Sequence, residues 1–510
     1  MAAEMGGRRR NPRDRRATRP ARSTAHHRDL TYPFEPDRVL SDDEVAHIHH
    51  EAKRLLQQYG MKVLLPEARE IYRAGGAVVD GDMVRIPTEV VDEALALAPP
   101  EVHVGAPDPT KAITFGGRHV NFLPVGGPPF VSDLDNGRRP GTLEDYENFV
   151  RLFQGIDVLH ANTPFIEAQD IPVDIRHLAT MRSQLTLTDK PAFLFTRGRQ
   201  RVFDMFEMLR IRHRLTEDEF IDTPMVWANI NTNSPRQLDI PMALGIIDFA
   251  RAGQVCSMTP FTLAGAMAPV SLAGALLLQH AEAVAAITLA QLTRAGAPVI
   301  YGGFTSNVDL RSGSPAFGTP EAIKGAVVSG QLARLIGVPW RSSGSSASTI
   351  EDAQGAWETM FNLQGAIRGG ANLILHSAGW QEGGLVASFE KLILDTEILQ
   401  TIVESWQPVD MSEAELAFDA ITGVEPGGHF FGEAHTLERF ETAFYEPLVA
   451  TRASFEQWVE EGELDARHRA NAVWKQRLAD YEQPPIDEAI AAELDDFVNR
   501  RIAEGGAAPD

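Results

Sequence analysis

The densest chemistry in the chain lies in ANLILHSAGWQEGG, residues 371–384. An apolar run delivers His376 to its end, and Trp380 and Glu382 follow closely. Gly379 and the Gly383-Gly384 pair let the backbone fold over that end, because glycine reaches conformations closed to other residues. His376, Trp380 and Glu382 are therefore expected to face one cavity. Histidine suits proton handling or polar anchoring near neutral pH, and a glutamate beside it would complete a proton-transfer pair. His376 and Glu382 are the candidate catalytic residues on this reading. The plainer reading is a histidine satisfied by the surrounding chain.

Other apolar runs end in the same way. Asn162 and Thr163, Thr196 and Arg197, Asn229 and Asn231, Thr259 and Thr262, Ser306 and Asn307, then Arg341 and Ser343 all close such runs. Aromatic residues stand among them: Phe165, Trp227, Phe261, Phe304, Trp340 and Trp380. Polar groups converging on one place are costly when unpaired, so a small polar ligand would explain them. Each could instead bond a loop backbone.

The elements that position these residues repeat eight times. The apolar runs are 119–128, 158–165, 191–197, 224–231, 255–262, 298–304, 338–344 and 372–380. Helical spacing follows each, at 142–154, 173–188, 199–213, 239–251, 272–294, 319–336, 352–368 and 387–405. Strands alternating with helices imply parallel pairing, because a parallel crossover needs a covering helix. Eight units suggest an α/β (β/α)8 TIM barrel, whose functional residues lie at the C-terminal strand ends. An open doubly wound sheet could also hold eight strands.

A chain of 510 residues exceeds one core, and a barrel takes about 250 of them. The expected division is a disordered Arg-rich tail over 1–28, an α+β cap over 29–118, the barrel over 119–405, and a helical extension over 406–510. In the cap, Ser41 and Glu44 form a capping box for a helix over 42–58, and Asp80-Gly81 turns a hairpin. In the extension, 408–422, 436–462 and the stretch from 484 to 504 read as helical. The loop 305–321 is the longest in the repeat and reads as a lid or binding loop.

The net charge of −23 argues against nucleic acid. The segment RRRNPRDRRATRPAR, 8–22, opposes that average. It reads as a solvated tail or as a docking arm for an acidic partner. The apolar helix around 272–292 is broken by Gln279, His280 and Glu282, so it reads as buried rather than membrane-spanning. The lone Cys256 permits no intrachain disulfide and fits a reducing cytoplasm. It sits in an apolar run and reads as a small buried hydrophobe. Nucleotide-binding and metal-binding patterns are absent. The serine run 341–348 could pass for a phosphate cradle but lacks the GxxxxGK(S/T) pattern. His429, Glu433 and His435 could in principle hold zinc, yet no metal bound by this chain is expected.

Three segments carry a specific resemblance: GGFTSNVDLRSGSPAFGTPE (302–321), ANLILHSAGWQEGGLVASFEKLILDTEIL (371–399) and PGGHFFGEAHTL (426–437). Together they resemble the corrinoid-dependent trimethylamine methyltransferase family, over about residues 30–480. The trimethylamine enzymes of that family carry pyrrolysine, whereas this chain has only the twenty standard residues. It is similar to the non-pyrrolysine branch, whose known activities use quaternary amines such as glycine betaine. The resemblance implies a (β/α)8 barrel, a pocket lined by His376, and methyl transfer to the cob(I)alamin of a separate corrinoid protein. A homo-oligomer in the cytoplasm is expected.

A quaternary amine needs cation recognition and alignment, which aromatic faces and a fixed pose supply. Phe165, Trp227, Phe261, Phe304, Trp340 and Trp380 are the expected cage. A betaine carboxylate needs charge-assisted donors. Arg197, Arg341 and His376 are the expected anchors, with Asn231 and Asn307 as helpers. Two other functions compete: an acid/base lyase or hydrolase using His376 and Glu382, and a non-catalytic betaine-binding protein.

Overall fold

Seven of the eight predicted runs form strands of one curled sheet in the computed structural model, which describes residues 27–509. In chain order its strands are β1 Leu30–Thr31, β2 His119–Phe122, β3 Ala192–Phe193, β4 Val226–Ile230, β5 Val255–Met258, β6 Val299–Gly302, β7 Trp340–Ser343 and β8 Leu373–Leu375. The spatial order is β1-β2-β8-β7-β6-β5-β4-β3. Every pair is parallel except β1 with β2.

The expected strand over 158–165 does not form. His160 N–H donates to Phe122 O at 2.9 Å and Asn162 N–H to Pro191 O at 2.9 Å, so this irregular segment bridges β2 and β3. Side chains replace the rest of a ladder. Phe122 N–H donates to the His160 ring at 3.0 Å, and Pro191 has no N–H to return. The fold is thus mixed α/β around a curled eight-stranded sheet, with β1 an addition outside the eightfold repeat.

All eight predicted helices are present: Leu143–Gln154, Val173–Leu187, Arg199–His213, Ile240–Arg251, Leu272–Thr293, Pro320–Leu335, Ala353–Arg368 and Phe389–Ser405. Leu272–Thr293 is the one described helix long and apolar enough to cross a membrane, but 78% of its most apolar window is buried. The helices Asp42–Gln58 and Thr88–Leu97 pack on it, which is why no polar face is needed. The Ser41–Glu44 capping box and the Val78–Asp80/Met83–Arg85 hairpin form as expected.

Inside the sheet, Phe193, Trp227, Val255, Ile300 and Leu373 make a closed apolar floor with the hairpin strands Glu101–Val104 and Ile113–Gly116. Cys256 points away from that floor and is buried. Burial pushes its thiol pKa up, so it is a packing residue rather than a nucleophile. Beyond residue 405 the two long predicted helices are replaced by four short ones, Glu413–Leu416, Phe418–Gly423, Ala434–Arg439 and Phe455–Glu460. Their sequences carry Gly423, Gly427, Gly428 and Gly432, which interrupt helix propagation. Ala466–Ala479, which the periodicity did not single out, and Glu488–Ala503 complete the described chain. The Arg-rich run 8–22 lies outside the described residues.

Candidate active site

The C-terminal ends of the parallel strands open into a cavity of about 270 Å³. β3 contributes Phe193 and, past its end, Phe195 and Arg197; β4 contributes Asn229 and, past its end, Asn231. Thr259 and Phe261 follow β5, Phe304 follows β6, Arg341 lies on β7, and His376 and Trp380 follow β8. Strand alternation decides which residues arrive. Arg341 points inward, so its neighbour Trp340 points outward and packs against the backbone at Gly369.

His376 ends β8 in the left-handed region, at φ 57°. A non-glycine residue there is strained, and such strain gathers at functional positions. Its N–H donates to Pro124 O at 3.2 Å and that of Ser377 to Leu123 O at 2.8 Å, so the segment just past β2 holds the turn. Asp395 holds the other side by accepting the Gly379 N–H at 2.9 Å. Lys391 lies 2.8 Å from that carboxylate, and both side chains are buried. The turn places the His376 ring against Trp380, with centroids 3.8 Å apart, and 6.3 Å from Phe304. Phe261 packs on Phe304 at 4.9 Å, and the guanidinium of Arg341 lies 5.5 Å over the Phe304 ring.

Four buried polar atoms converge here without a partner in the described protein: His376 Nδ1, Trp380 Nε1, and Arg341 Nε and Nη1. Arg341 is 2% exposed, and no carboxylate pairs with it among the described residues. Burial lowers its pKa to about 9, which leaves it cationic at neutral pH. Burial, and then the nearby Arg341 charge, hold the His376 imidazole well below the usual histidine range. It is therefore neutral at neutral pH and serves as a hydrogen-bonding group. A buried cation beside two further unpaired polar groups is suited to an anionic ligand group, because an isolated buried charge is expensive.

The asparagines are held rather than free. Asn229 Nδ2 donates to Asn231 Oδ1 at 2.9 Å, Asn231 Nδ2 to Thr259 O at 3.1 Å, and Thr259 Oγ to Asn229 Oδ1 at 2.9 Å. Glu282 fixes the following loop by accepting from Ser234 at 2.6 Å and the Arg236 N–H at 2.7 Å.

Of the predicted residues, His376, Asn231, Phe261, Phe304, Arg341, Trp380 and Arg197 share this cavity. Five do not. Glu382 accepts from Arg138 at 3.1 Å and lies off the cavity, so no His376–Glu382 proton pair forms. Trp227 lies one layer deeper in the floor, its indole donating to Asn162 O at 3.1 Å. Trp340 is in the outer layer. Phe165 packs among Tyr146, Phe149 and Phe153, between sheet and helices. Asn307 accepts from Thr319, the N-cap of Pro320–Leu335, at 2.9 Å. The 305–321 loop itself forms the hairpin strands Ser306–Val308 and Pro315–Ala316, and its Phe317 backs Phe304 at 5.4 Å. Asn229 and Thr259, expected only among the converging polar strand ends, also line the cavity, and Phe193 and Phe195 belong to it without having been assigned to it. The period of two was the available signal: Phe193, Phe195 and Arg197 share one face, as do Asn229 and Asn231.

The serine run is not a phosphate cradle. Glu358 already accepts from the N–H groups of Ala347 at 2.7 Å and Ser348 at 3.0 Å, and from Ser346 Oγ at 2.9 Å. Among the described residues no group of three His, Cys, Asp or Glu could hold a metal ion, so His429, Glu433 and His435 do not converge.

Residues 6–506 match the family described as Trimethylamine methyltransferase (MTTB). The chain is 36% identical over 470 residues to the glycine betaine methyltransferase of Desulfitobacterium hafniense (strain Y51), covering 92% of this chain and 98% of that protein. It is 31% identical over 479 residues to the trimethylamine methyltransferase MttB of Desulfitobacterium hafniense (strain DSM 10664 / DCB-2), covering 92% and 95%. The monomethylamine methyltransferase MtmB of Methanosarcina barkeri superposes with a TM-score of 0.49 at 10% identity, covering 87% of this chain and 94% of that one.

Proposed function

Because the chain belongs to the trimethylamine methyltransferase family and is a methyltransferase, we propose that it moves a methyl group from a small carboxylate-bearing quaternary amine to the corrinoid of a separate protein. The buried, unpaired Arg341 carries the substrate class. It calls for a carboxylate, while Phe195, Phe261, Phe304 and Trp380 offer faces to a cation. A betaine of the glycine betaine kind presents both charges a short distance apart.

Burial orients the substrate. Arg341, His376 and Trp380 are buried, whereas Phe195, Phe261 and Phe304 are half-buried. The carboxylate therefore binds inward and the ammonium lies toward the open mouth. That end must face outward if the acceptor comes from another protein, and the cavity fits it in this respect. The corrinoid, when bound, supplies a two-electron nucleophile for the methyl carbon. On this side of the reaction the methyl–nitrogen bond breaks and its electron pair stays on nitrogen, leaving a neutral tertiary amine. No proton is transferred at that moment. Neutral His376 and the Asn229–Asn231–Thr259 set orient and exclude water, and fixed alignment carries the rate.

We also read the curled sheet and its helices as a (β/α)8 barrel, capped by 29–118 and extended by 406–510. The bridging hydrogen bonds of His160 and Asn162 support that reading.

Methylation of free cob(I)alamin, followed by loss of the cob(I) absorbance, tests the proposal. Glycine betaine is expected to react at least roughly a hundredfold faster than choline, which lacks the carboxylate for Arg341. Equal rates would remove the carboxylate reading, and inactivity with every quaternary amine would remove the donor class. Calorimetry with the betaine tests the cage. Phe304→Ala should weaken binding by about 0.5–2 kcal/mol, whereas Phe165→Leu, outside the cavity, should leave it unchanged. An unaltered affinity in Phe304→Ala would dismiss that ring.

A further inference from the structure

Two stretches of this chain have opposite charge. Residues 8–22 hold eight Arg and one Asp, while residues 407–464 hold thirteen Asp or Glu, two Arg and no Lys. The acidic stretch forms an arm whose four short helices bury no residue of their own. Most of its aromatic residues lie outside: Phe418 is 69%, Phe431 82%, Phe440 65% and Phe455 71% exposed. Arg439 pairs with Glu415 and Glu438. Asp419, Glu425, Glu433 and Glu460 meet no basic side chain among the described residues. Soluble proteins rarely leave that much apolar surface open, so an occupant is called for.

We propose that the Arg-rich segment 8–22 docks on the acidic, aromatic arm 407–464 of its own chain. Its tether is in place. His27 is buried and lies 3.2 Å from Glu404, three residues before the arm begins at Gln407. From that root the chain between His27 and Arg8 reaches up to roughly 60 Å when extended. Tethering also makes the local concentration high, on the order of millimolar. Guanidinium groups suit this surface twice over, since they pair with carboxylates and stack on aromatic faces. A second copy carries the same Arg-rich segment, but without the tether that holds residues 8–22 near the arm of their own chain.

Hydrogen exchange of the full-length protein, read by mass spectrometry, tests this. With all eight arginines of 8–22 changed to glutamine, peptides from 409–460 should exchange roughly tenfold or more faster at low salt. Peptides covering 371–384 should be unchanged. In the wild type the arm's protection should disappear in about 0.5 M salt, where exposed charge pairs are screened. It should not change on dilution of the protein. Equal arm exchange in wild type and variant would overturn the proposal, and so would salt-insensitive protection in the wild type. Protection lost on dilution would also overturn it, by assigning the arm to a second copy.

Discussion

Arg341→Gln is expected to lower kcat/KM for a betaine by roughly 10²–10³-fold, while the much slower reaction of choline changes only a few-fold. Arg341 is a buried cation whose Nε and Nη1 find no partner in the described protein. Removing one member of a buried charge pair typically costs about 3–5 kcal/mol, because the other charge is left in a poor solvent. In the variant the stranded group is the substrate carboxylate. Choline has no such group, so it registers only the change in shape. Arg341→Lys should recover part of the loss: it restores charge but not the planar set of donors. Steady-state methylation of cob(I)alamin with both substrates separates these outcomes. A parallel loss for betaine and choline would show that Arg341 shapes the pocket and does not bind an anion.

His376→Ala is expected to slow methyl transfer by roughly tenfold or more through misplacement of the substrate. His376→Asn and His376→Gln should retain more activity, because they keep a hydrogen-bonding group beside Trp380. The pH profile distinguishes orientation from proton transfer. Burial and the Arg341 charge lower the imidazole pKa, so His376 stays neutral as pH falls through the ordinary histidine range. The wild-type rate should show no histidine step between about pH 6 and 8. A step there, absent from His376→Ala, would establish proton transfer and restore an acid/base mechanism. Full activity in His376→Ala would exclude the residue from the site.

Much of the site could be read from the residues because a strand has a period of two and a barrel-like repeat collects strand ends at one face. His376, Arg341 and Trp380 were legible for that reason. Phe195 was legible in principle, two residues from Arg197 on the same face. Trp340 and Arg341 show the limit of listing strand-end residues together: adjacent positions point to opposite sides of a sheet. Trp227 shows a second limit. It faces inward as expected, but depth within the sheet depends on how neighbouring strands are staggered, and that places it in the floor. The 158–165 run has strand composition, yet His160 and Asn162 spend their side chains on neighbouring backbones and the segment stays irregular.

What the sequence determined by itself was seven of the eight alternating strands, all eight helices, and a set of polar and aromatic residues at strand ends. Those properties follow from local periodicity and from chemistry carried by each residue. Tertiary structure alone decided which of them meet. Glu382 stands six residues from His376 in sequence, but the Gly383 turn and Arg138 hold its carboxylate off the cavity. Arg341 is thirty-five residues from His376, yet the β7–β8 register brings both to one cavity. The orphaned charge of Arg341 was also invisible in the sequence, because a missing partner is a property of everything packed around a residue.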